Sequence, residues 1–308
     1  MTMLLNKKIL LSLGTLVFVA AVALGATGAF FSDTETSTGN TFTAGAIDLT
    51  VDNHAWYNGL ECKFYEQGIE QNEGWFWSGS SDDAYTQSLV GTACTSSWNL
   101  TDLTNQLFFS FADLKPGDWE EDTISLHVTN NDSWLCANLK LTTNEENNVT
   151  EPEDDLNDAG DTTAWDGELA SELNFIFWAD DGDNVFEDSE SVVLEGTPSE
   201  LPQGDQNSGQ NFPIADSFYS IFGTPGTPVT GLDTVYIGKA FCFGDLVLTP
   251  VEESIETVND PAEDPGFTCS GALTTNISQT DSITADMSFS AVQSRNNPNY
   301  SCVIGGTV

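Results

Sequence analysis

Basic side chains are scarce in this chain of 308 residues, which has 7 Lys and Arg against 48 Asp and Glu and a formal net charge of −41. Two of the seven, Lys7 and Lys8, lie in an N-terminal apolar stretch that has no acidic residue, so the remainder carries 5 basic against 48 acidic side chains, near −43. Such a field repels nucleic acid and anionic membrane surfaces and attracts cations. We therefore expect no nucleic-acid partner and a saline or calcium-containing surrounding; the alternative is that acidity only keeps a surface protein soluble.

Residues for catalysis are also few. The chain has two histidines, His54 and His127, and no His-Glu-x-x-His pair, no Gly-x-Ser-x-Gly elbow and no glycine-rich phosphate loop. A zinc protease needs about three protein ligands and a base at an open site. We place His127 outward on a strand and His54 in a loop, as ordinary surface residues. The sequence therefore predicts a protein that is not an enzyme.

Helix-favouring patterns are absent as well, since the chain shows no heptad and no internal repeat. Aromatics are ample for a core, with 19 Phe, 8 Trp and 6 Tyr, on a background of Thr, Ser, Asn, Asp and Gly. Apolar and polar residues alternate over 47–52, 124–129 and 283–292, which is the period of a strand with one buried face. We predict an all-β fold, a jelly-roll-like antiparallel β-sandwich with long loop insertions.

The N-terminus has the features of an export signal. Lys7 and Lys8 precede an apolar run from Ile9 to Phe31 that ends in small residues, which predicts a signal helix over residues 1–29 and cleavage between Ala29 and Phe30. The alternative is an uncleaved transmembrane anchor, because the run is long enough to span a bilayer. We expect a secreted protein at the cell surface or in a matrix, with membrane contact only through an uncleaved signal peptide.

Two stretches resemble a known family. AFFSDTETSTGNTFTAGAIDL, residues 29–49, is similar to the mature start of TasA/camelysin-type proteins, and Leu114-Lys115-Pro116-Gly117-Asp118 with the strand after it resembles the family's LKPGD turn. The resemblance implies a subunit of an extracellular fibre or biofilm matrix, released by a SipW-like signal peptidase. It also raises the question of proteolysis, because camelysin-type relatives have been classed as metalloproteases.

Cleavage at Ala29 would free a polar arm, residues 30–41. The resemblance implies that this arm completes the sheet of the next copy, and the composition of the arm permits it. The arm has no Pro, and it can reach on the order of 35–40 Å when extended. We expect it to be mobile before assembly and to act through Phe30, Phe31, Asp33, Thr34 and Thr36.

The remainder, residues 30–308, is predicted to be a single domain with an insertion over 54–106 and an acidic loop over 144–166. Six cysteines behind an export signal suggest three disulfides, with 15 possible connectivities. Sequence proximity favours Cys62–Cys94 and Cys269–Cys302, which leaves Cys136 with Cys242.

The sharpest local motif is Asp180-Asp181-Gly182-Asp183-Asn184-Val185-Phe186-Glu187-Asp188-Ser189-Glu190. Alternating carboxylates around a tight turn suit Ca²⁺, which takes six to eight oxygens. We predict side-chain ligands and one backbone carbonyl, from Asp181, Asp183, Glu187, Glu190 and Val185. The register departs from an EF-hand loop, because Ala179 or Asp180 falls where the first ligand should be, and a solvated acidic hairpin is the alternative.

Three functions remain open at this point. The first is the filament subunit, whose partners are copies of itself. The second is a monomeric calcium- or carbohydrate-binding adhesin, in which the tryptophans at 56, 75, 77 and 98 form a sugar-stacking face. The third is the metalloprotease.

Overall fold

The structure is a computed structural model that describes residues 32–35, 48–66, 73–103, 106–154, 156, 165–203, 209–253 and 259–303. The predicted signal peptide and the pair Phe30–Phe31 lie outside these residues. Within them, no helix has both the length and the apolar character to cross a membrane. Helical segments are short: Ala84–Leu89, Glu151–Asp154 and Leu169–Glu172, with 3₁₀ turns at Pro198–Glu200, Asn276–Ser278 and Ser294–Asn296.

The fold is an antiparallel β-sandwich, as predicted. Its strands are β1 Ser32–Glu35, β2 Asp48–Tyr57, β3 Leu60–Tyr65, β4 Gly74–Ser78, β5 Trp98–Thr101, β6 Trp119–Thr129, β7 Ser133–Glu145, β8 Leu173–Asp180, β9 Val192–Gly196, β10 Gln210–Ala215, β11 Thr234–Phe243, β12 Asp245–Leu248, β13 Phe267–Ser270 and β14 Ser282–Gln293. One sheet has the order β1-β14-β7-β10. The other has the order β4-β3-β2-β6-β11-β8-β9, and β5 pairs with β2 beside this path.

The core lies between the two sheets. Alternate residues of β6, from Ile124 to Val128, face alternate residues of β14, from Ala285 to Ala291, and all of them are buried. The period-two alternation therefore determines which face of each strand is buried, and this is why the buried face could be predicted from the sequence.

A second layer covers the outer face of the large sheet. The β12–β13 ribbon and the loop after β8 pack Phe186 and Phe267 against Ile176, Trp178 and Ala240. The middle of β6 is consequently buried on both faces, from Glu120 to Leu126. This double burial places three consecutive carboxyl groups, those of Glu120, Glu121 and Asp122, away from solvent.

Three disulfides close the fold: Cys62–Cys94, Cys136–Cys302 and Cys242–Cys269. The first confirms the predicted pair, but Cys269–Cys302 and Cys136–Cys242 were wrong. β11 and β12 are separated only by Gly244, and β12 pairs with β13, so Cys242 comes next to Cys269. The C-terminal segment after β14 instead returns along β7 and reaches Cys136. Sheet pairing, rather than distance along the chain, sets these two bonds.

Both predicted insertions begin inside strands of the sandwich. Residues 54–57 continue β2, and β3, β4 and β5 extend or flank the same sheet, so the described part of 54–106 is not separate from that sheet. His54 accordingly lies in β2 rather than in a loop. The predicted acidic loop 144–166 begins inside β7, and its Glu153 is completely buried.

The Lys-Pro-Gly-Asp turn forms as predicted. Gly117 has φ +95°, and the Asp118 N–H donates to the Lys115 carbonyl at 2.9 Å. The Asp118 carboxylate also accepts from Tyr57 Oη at 2.7 Å and from Asn58 Nδ2 at 2.8 Å. The turn therefore ties the start of β6 to the hairpin between β2 and β3.

On the core side of the large sheet, a single lysine neutralises buried acids. Lys239 Nζ lies 2.7 Å from Glu120 Oε2 and 3.4 Å from Asp122 Oδ2, and it donates to the Phe108 carbonyl at 3.2 Å. Asn53 Nδ2 donates to Asp122 Oδ2 at 2.8 Å. Burial raises the pKa of Glu120 to about 8, while Lys239 opposes that rise. The group formed by this lysine and the two carboxyls has no net charge when one carboxyl keeps its proton.

Lys239→Met is expected to lower the free energy of unfolding by about 3–5 kcal/mol, because it leaves buried carboxyls without their cation. Lys63→Met is the matched control, since Lys63 pairs with Glu61 at the surface, and its cost should be below about 1 kcal/mol. Urea unfolding followed by tryptophan fluorescence measures both. Equal costs for the two variants would show that the buried cluster does not depend on its lysine.

Candidate metal centre

The loop after β8 is shaped by its glycine and asparagine. Gly182 has φ +113° and Asn184 φ +66°, and a Cβ at Gly182 would lie 3.2 Å from the Tyr236 ring. Val185 and Phe186 turn inward and are buried. The Phe186 N–H donates to the Pro265 carbonyl at 3.0 Å, so the loop is fastened to the outer layer of the fold.

The predicted ligands lie together in this loop. Carboxylate oxygens of Asp181, Glu187 and Glu190 lie within 4.8 Å of one another, and so do those of Asp180, Asp181 and Asp183. Asp181 therefore belongs to both groups. Val185 is buried below them, and its N–H donates to Asp183 Oδ1 at 3.0 Å.

Glu190 also joins the two ends of the loop. Its Oε1 accepts from the Asp181 N–H and its Oε2 from the Glu187 N–H, each at 3.0 Å. These bonds close the loop on itself and bring its first and last carboxylates together.

Sequence reasoning missed the deeper part of the site. Asp180, the last residue of β8, is only 4% exposed, and its Oδ2 accepts from Thr123 Oγ1 at 2.8 Å. Thr123 also donates to Asn184 Oδ1 at 3.1 Å. Asp180 Oδ1 and Asn184 Nδ2 are buried without a hydrogen-bond partner.

Glu121, on β6, lies close enough to the loop for the charges of Asp180 and Asp183 to act on it. It is completely buried, and neither carboxylate oxygen has a hydrogen-bond partner. Burial raises its pKa well above the usual value, and the negative charges of Asp180, Asp122 and Asp183 raise it further. A fully buried carboxyl group without a partner, next to acidic neighbours, is a position where a cation would remove a large electrostatic cost.

The pKa values of the loop carboxyls are raised in the same way. Burial, followed by repulsion from Asp181 and Asp183, raises the pKa of Glu187 to about 7. Burial raises that of Asp180 to about 7 and that of Glu190 to about 9. In the absence of a cation, Glu190 therefore holds a proton at pH 7, and Asp180 and Glu187 are about half protonated. The donors are oxygens throughout, which suits a hard cation such as Ca²⁺.

The two histidines lie elsewhere and have other partners. His54 Nε2 is 3.1 Å from Glu61 Oε1, and His127 contacts Asp52 at 2.8 Å and Thr234 at 2.9 Å. In the part of the chain that the structure describes, the groups of side chains close enough to share a metal contain only Asp and Glu.

The four tryptophans do not form one face. Trp98 is buried in the main core, and Trp77 is buried in a separate cluster around the Cys62–Cys94 disulfide. Trp56 lies against His54, with ring centroids 4.1 Å apart.

The N-terminal arm is partly ordered against the chain's own sheet. Ser32–Glu35, which include the predicted residues Asp33 and Thr34, form β1 and pair antiparallel with β14, Ser32 opposite Val292 and Asp33 opposite Ala291. Thr36 lies outside the described residues. The expectation of an unpaired arm was therefore wrong for this segment, because the edge of β14 offers it free backbone groups.

The comparison with family models supports the resemblance noted above. Residues 4–61 match the family described as camelysin metallo-endopeptidase, which confirms the likeness to TasA/camelysin-type proteins over this N-terminal part. No curated protein matches the chain. Three disulfides and this family likeness favour an extracellular or cell-surface protein.

Calcium should stabilise the chain more at pH 8 than at pH 5. A carboxyl whose pKa is raised in the folded chain favours folding while protonated, so its contribution is complete below the unfolded pKa of about 4 and is lost as the pH rises through about 7. With a chelator, the melting temperature should therefore fall from pH 5 to pH 8. Ca²⁺ at about 100 times its Kd should raise it at pH 8 by roughly 5–10 °C.

Differential scanning calorimetry with Asp181→Asn and Glu195→Gln sharpens this test. Asp181→Asn should remove most of the calcium-dependent rise, because Asp181 belongs to both carboxylate groups of the loop. Glu195 is an exposed residue of β9, so Glu195→Gln should keep the rise. The site would be refuted by calcium effects that are equal at both pH values, or equal in the two variants.

Proposed function

We propose that the chain is a secreted structural subunit of an extracellular filament or biofilm matrix, assembled by exchange of the N-terminal strand. The signal peptide would be cleaved at Ala29–Phe30 by a SipW-like peptidase, and the partners would be further copies of the chain. The role is structural rather than enzymatic, and the adhesin alternative shares every feature except the exchanged strand.

The observation that carries the proposal is the pairing of the N-terminal strand β1 with β14, a strand from the other end of the chain. β14 runs for 12 residues from Ser282 to Gln293, and β1 pairs with its C-terminal end, with Ser32 opposite Val292. β1 is the outermost strand of the small sheet. A strand in this position can be supplied by another copy, because the backbone N–H and C=O groups of β14 pair with either one.

The connectivity of β1 also favours exchange. β1 belongs to the small sheet, whereas the next strand, β2, belongs to the large sheet. The 12 residues between them, 36–47, can span on the order of 40 Å, so β1 could pair with β14 of a neighbouring chain as readily as with its own. The same ladder serves both cases, which is the energetic basis of strand swapping, and a head-to-tail exchange that does not close produces a fibre.

Calcium has a supporting part in this proposal. We infer that the loop site binds Ca²⁺ as a structural ion and holds the outer layer of the large sheet in place. This layer is on the opposite side of the sandwich core from the β1–β14 edge. Calcium would therefore stabilise each subunit without forming the contact between subunits.

The exchange is tested by mixing two variants of the chain that begins at Phe30, each with one added cysteine. Ser32→Cys and Val292→Cys are opposite each other in the β1–β14 ladder, so a disulfide between two different chains forms only if the strand is exchanged. We expect this cross-link in polymerised material, mapped by mass spectrometry. Negative-stain imaging should show fibres, and deletion of residues 30–41 should abolish them.

The matched control replaces Val292→Cys with Val247→Cys, an exposed position on β12 far from the edge of β14, which should give no cross-link. A double variant carrying Cys at 32 and 292 reports pairing within one chain. The filament is excluded if three results are found together: the double variant forms the disulfide within one chain, the mixture never cross-links, and the chain stays monomeric. The adhesin is then the remaining hypothesis.

A further inference from the structure

Three carboxyl groups that no sequence motif indicated meet at one end of the small sheet. Glu146 follows β7, Glu153 lies in the short helix Glu151–Asp154, and Asp281 precedes β14. Their carboxylate oxygens lie within 4.8 Å of one another. Glu153 is completely buried and Glu146 is 5% exposed. We call these residues the sheet-end cluster.

Each carboxylate in the sheet-end cluster is held by one of its two oxygens. Glu146 Oε1 accepts from the Asn148 N–H at 3.1 Å, and Glu153 Oε2 accepts from the Thr150 N–H. Asp281 Oδ2 accepts from the N–H groups of Glu168 and Leu169 at 2.6 and 3.0 Å. The backbone therefore fixes the orientation of all three groups.

The second oxygen of each carboxylate has a different surrounding. Glu146 Oε2, Glu153 Oε1 and Asp281 Oδ1 are buried and accept no hydrogen bond from a donor group of the described residues. Glu153 is the decisive residue, because a completely buried carboxylate with one oxygen unpartnered is costly unless something positive lies beside it.

Among the described residues, no basic side chain compensates this charge. Their ion pairs involve Lys63, Lys115, Lys239 and the two histidines, and none of these reaches the sheet-end cluster. Apart from these side chains, a proton or a cation from solution can compensate the charge.

The frame of the cluster forms from the polypeptide itself. Asn147 Nδ2 donates to the Thr280 carbonyl at 2.8 Å, and Thr280 Oγ1 donates to the Asn148 carbonyl at 2.7 Å. These bonds join the segment after β7 to the segment before β14 next to the three carboxylates. A cation would enter a largely formed site, so little ordering opposes its binding.

We propose that the sheet-end cluster is a second divalent-cation site, which takes a hard ion of the Ca²⁺ class through Glu146, Glu153 and Asp281. The ion fastens the start of the acidic stretch 144–166 to the beginning of β14. Three carboxylates supply part of the six to eight oxygens that Ca²⁺ takes, and water completes the shell. The site is separate from the loop after β8, shares no residue with it and does not rest on the proposed function.

The test is calcium titration by isothermal calorimetry at pH 7.5 in about 1 M NaCl, where the Debye length of about 3 Å screens diffuse attraction to the acidic surface. Asp181→Asn with Glu187→Gln removes the loop site and isolates the sheet-end cluster. In that background one site should remain. Adding Glu153→Gln should weaken it by at least about tenfold, since even outer-shell changes at metal sites cost 10–100-fold.

Glu151→Gln is the matched control, because Glu151 is exposed on the same helical turn as Glu153. It should leave the affinity unchanged. Hydrogen exchange supplies a second readout, in which Ca²⁺ protects the amides of Asn148, Thr150 and Leu169 in the parent and in Glu151→Gln but not in Glu153→Gln.

Two results would overturn the cation site itself, and a third would overturn its assignment to the Ca²⁺ class. One is that no calcium binds once the loop site is removed, or that Glu153→Gln and Glu151→Gln bind it equally. The other is that Glu153→Gln stabilises the chain equally with and without Ca²⁺, which would identify the cluster as carboxyl groups that share a proton. A response to Mg²⁺ equal to that to Ca²⁺ would contradict the assignment to the Ca²⁺ class.

Discussion

The burial of negative charge in a chain that has almost no positive charge constrains this structure more than any other interaction. Among the described residues, one lysine is buried together with nine carboxyl residues: Asp118, Glu120, Glu121, Asp122, Glu146, Glu153, Asp180, Glu187 and Asp216. An ionised carboxylate in the interior costs several kcal/mol unless hydrogen bonds, a countercharge or a proton compensates it. The fold can be understood from how each of the nine is compensated.

Three solutions are visible. Asp118 and Asp216 rely on hydrogen bonds, and Asp216 accepts from the N–H groups of Phe218, Tyr219 and Cys302. Glu120 and Asp122 share Lys239. The other five lie in the loop site and the sheet-end cluster, where no basic side chain is present. If cations compensate these five, as proposed, the stability of the protein depends on its ionic surroundings, which accords with an extracellular or cell-surface location.

The large sheet with its outer layer and the small sheet have different proposed roles. The outer layer over the large sheet carries the loop site and the Cys242–Cys269 disulfide, and both are concerned with stability. The small sheet contains β14, the strand that pairs with β1. The sheet-end cluster lies directly before Ser282, where β14 begins, so a cation there would hold the start of that strand in place.

Much of this architecture could be predicted from the sequence, because period-two alternation is local. The alternation in β2, β6 and β14 and the Lys-Pro-Gly-Asp turn followed from patterns within about ten residues. Leu107, Phe109 and Phe111 also alternate, yet the structure has no strand there. Phe108, which is not one of the three, is fully buried in the core, and Phe109 packs against the same core. Alternation shows which faces differ, but not whether a neighbouring strand is available.

The candidate metal site could likewise be predicted only in part. Asp181, Asp183, Glu187 and Glu190 are adjacent in the sequence, so their clustering was predictable. Glu121 could not be assigned to them, because its position depends on β6 being the neighbour of β11 and β11 of β8. A local signal did exist: Glu120-Glu121-Asp122 directly precede the strongly apolar part of β6, and three consecutive acids in a central strand indicate buried charge. The two disulfide predictions were wrong for the same reason, because the number of residues between two cysteines does not show which distant strands pair.

The central claim is that cations from solution compensate the five buried carboxylates of the loop site and the sheet-end cluster. The most direct measurement is a high-resolution structure of the chain grown with Ca²⁺, or with Tb³⁺ in its place, with anomalous difference maps. The account predicts peaks between Asp181 and Glu187 and between Glu146 and Glu153, with oxygens at about 2.3–2.6 Å around each calcium ion. Carboxyl groups bonded to one another through shared protons, with no peak at either place, would contradict it.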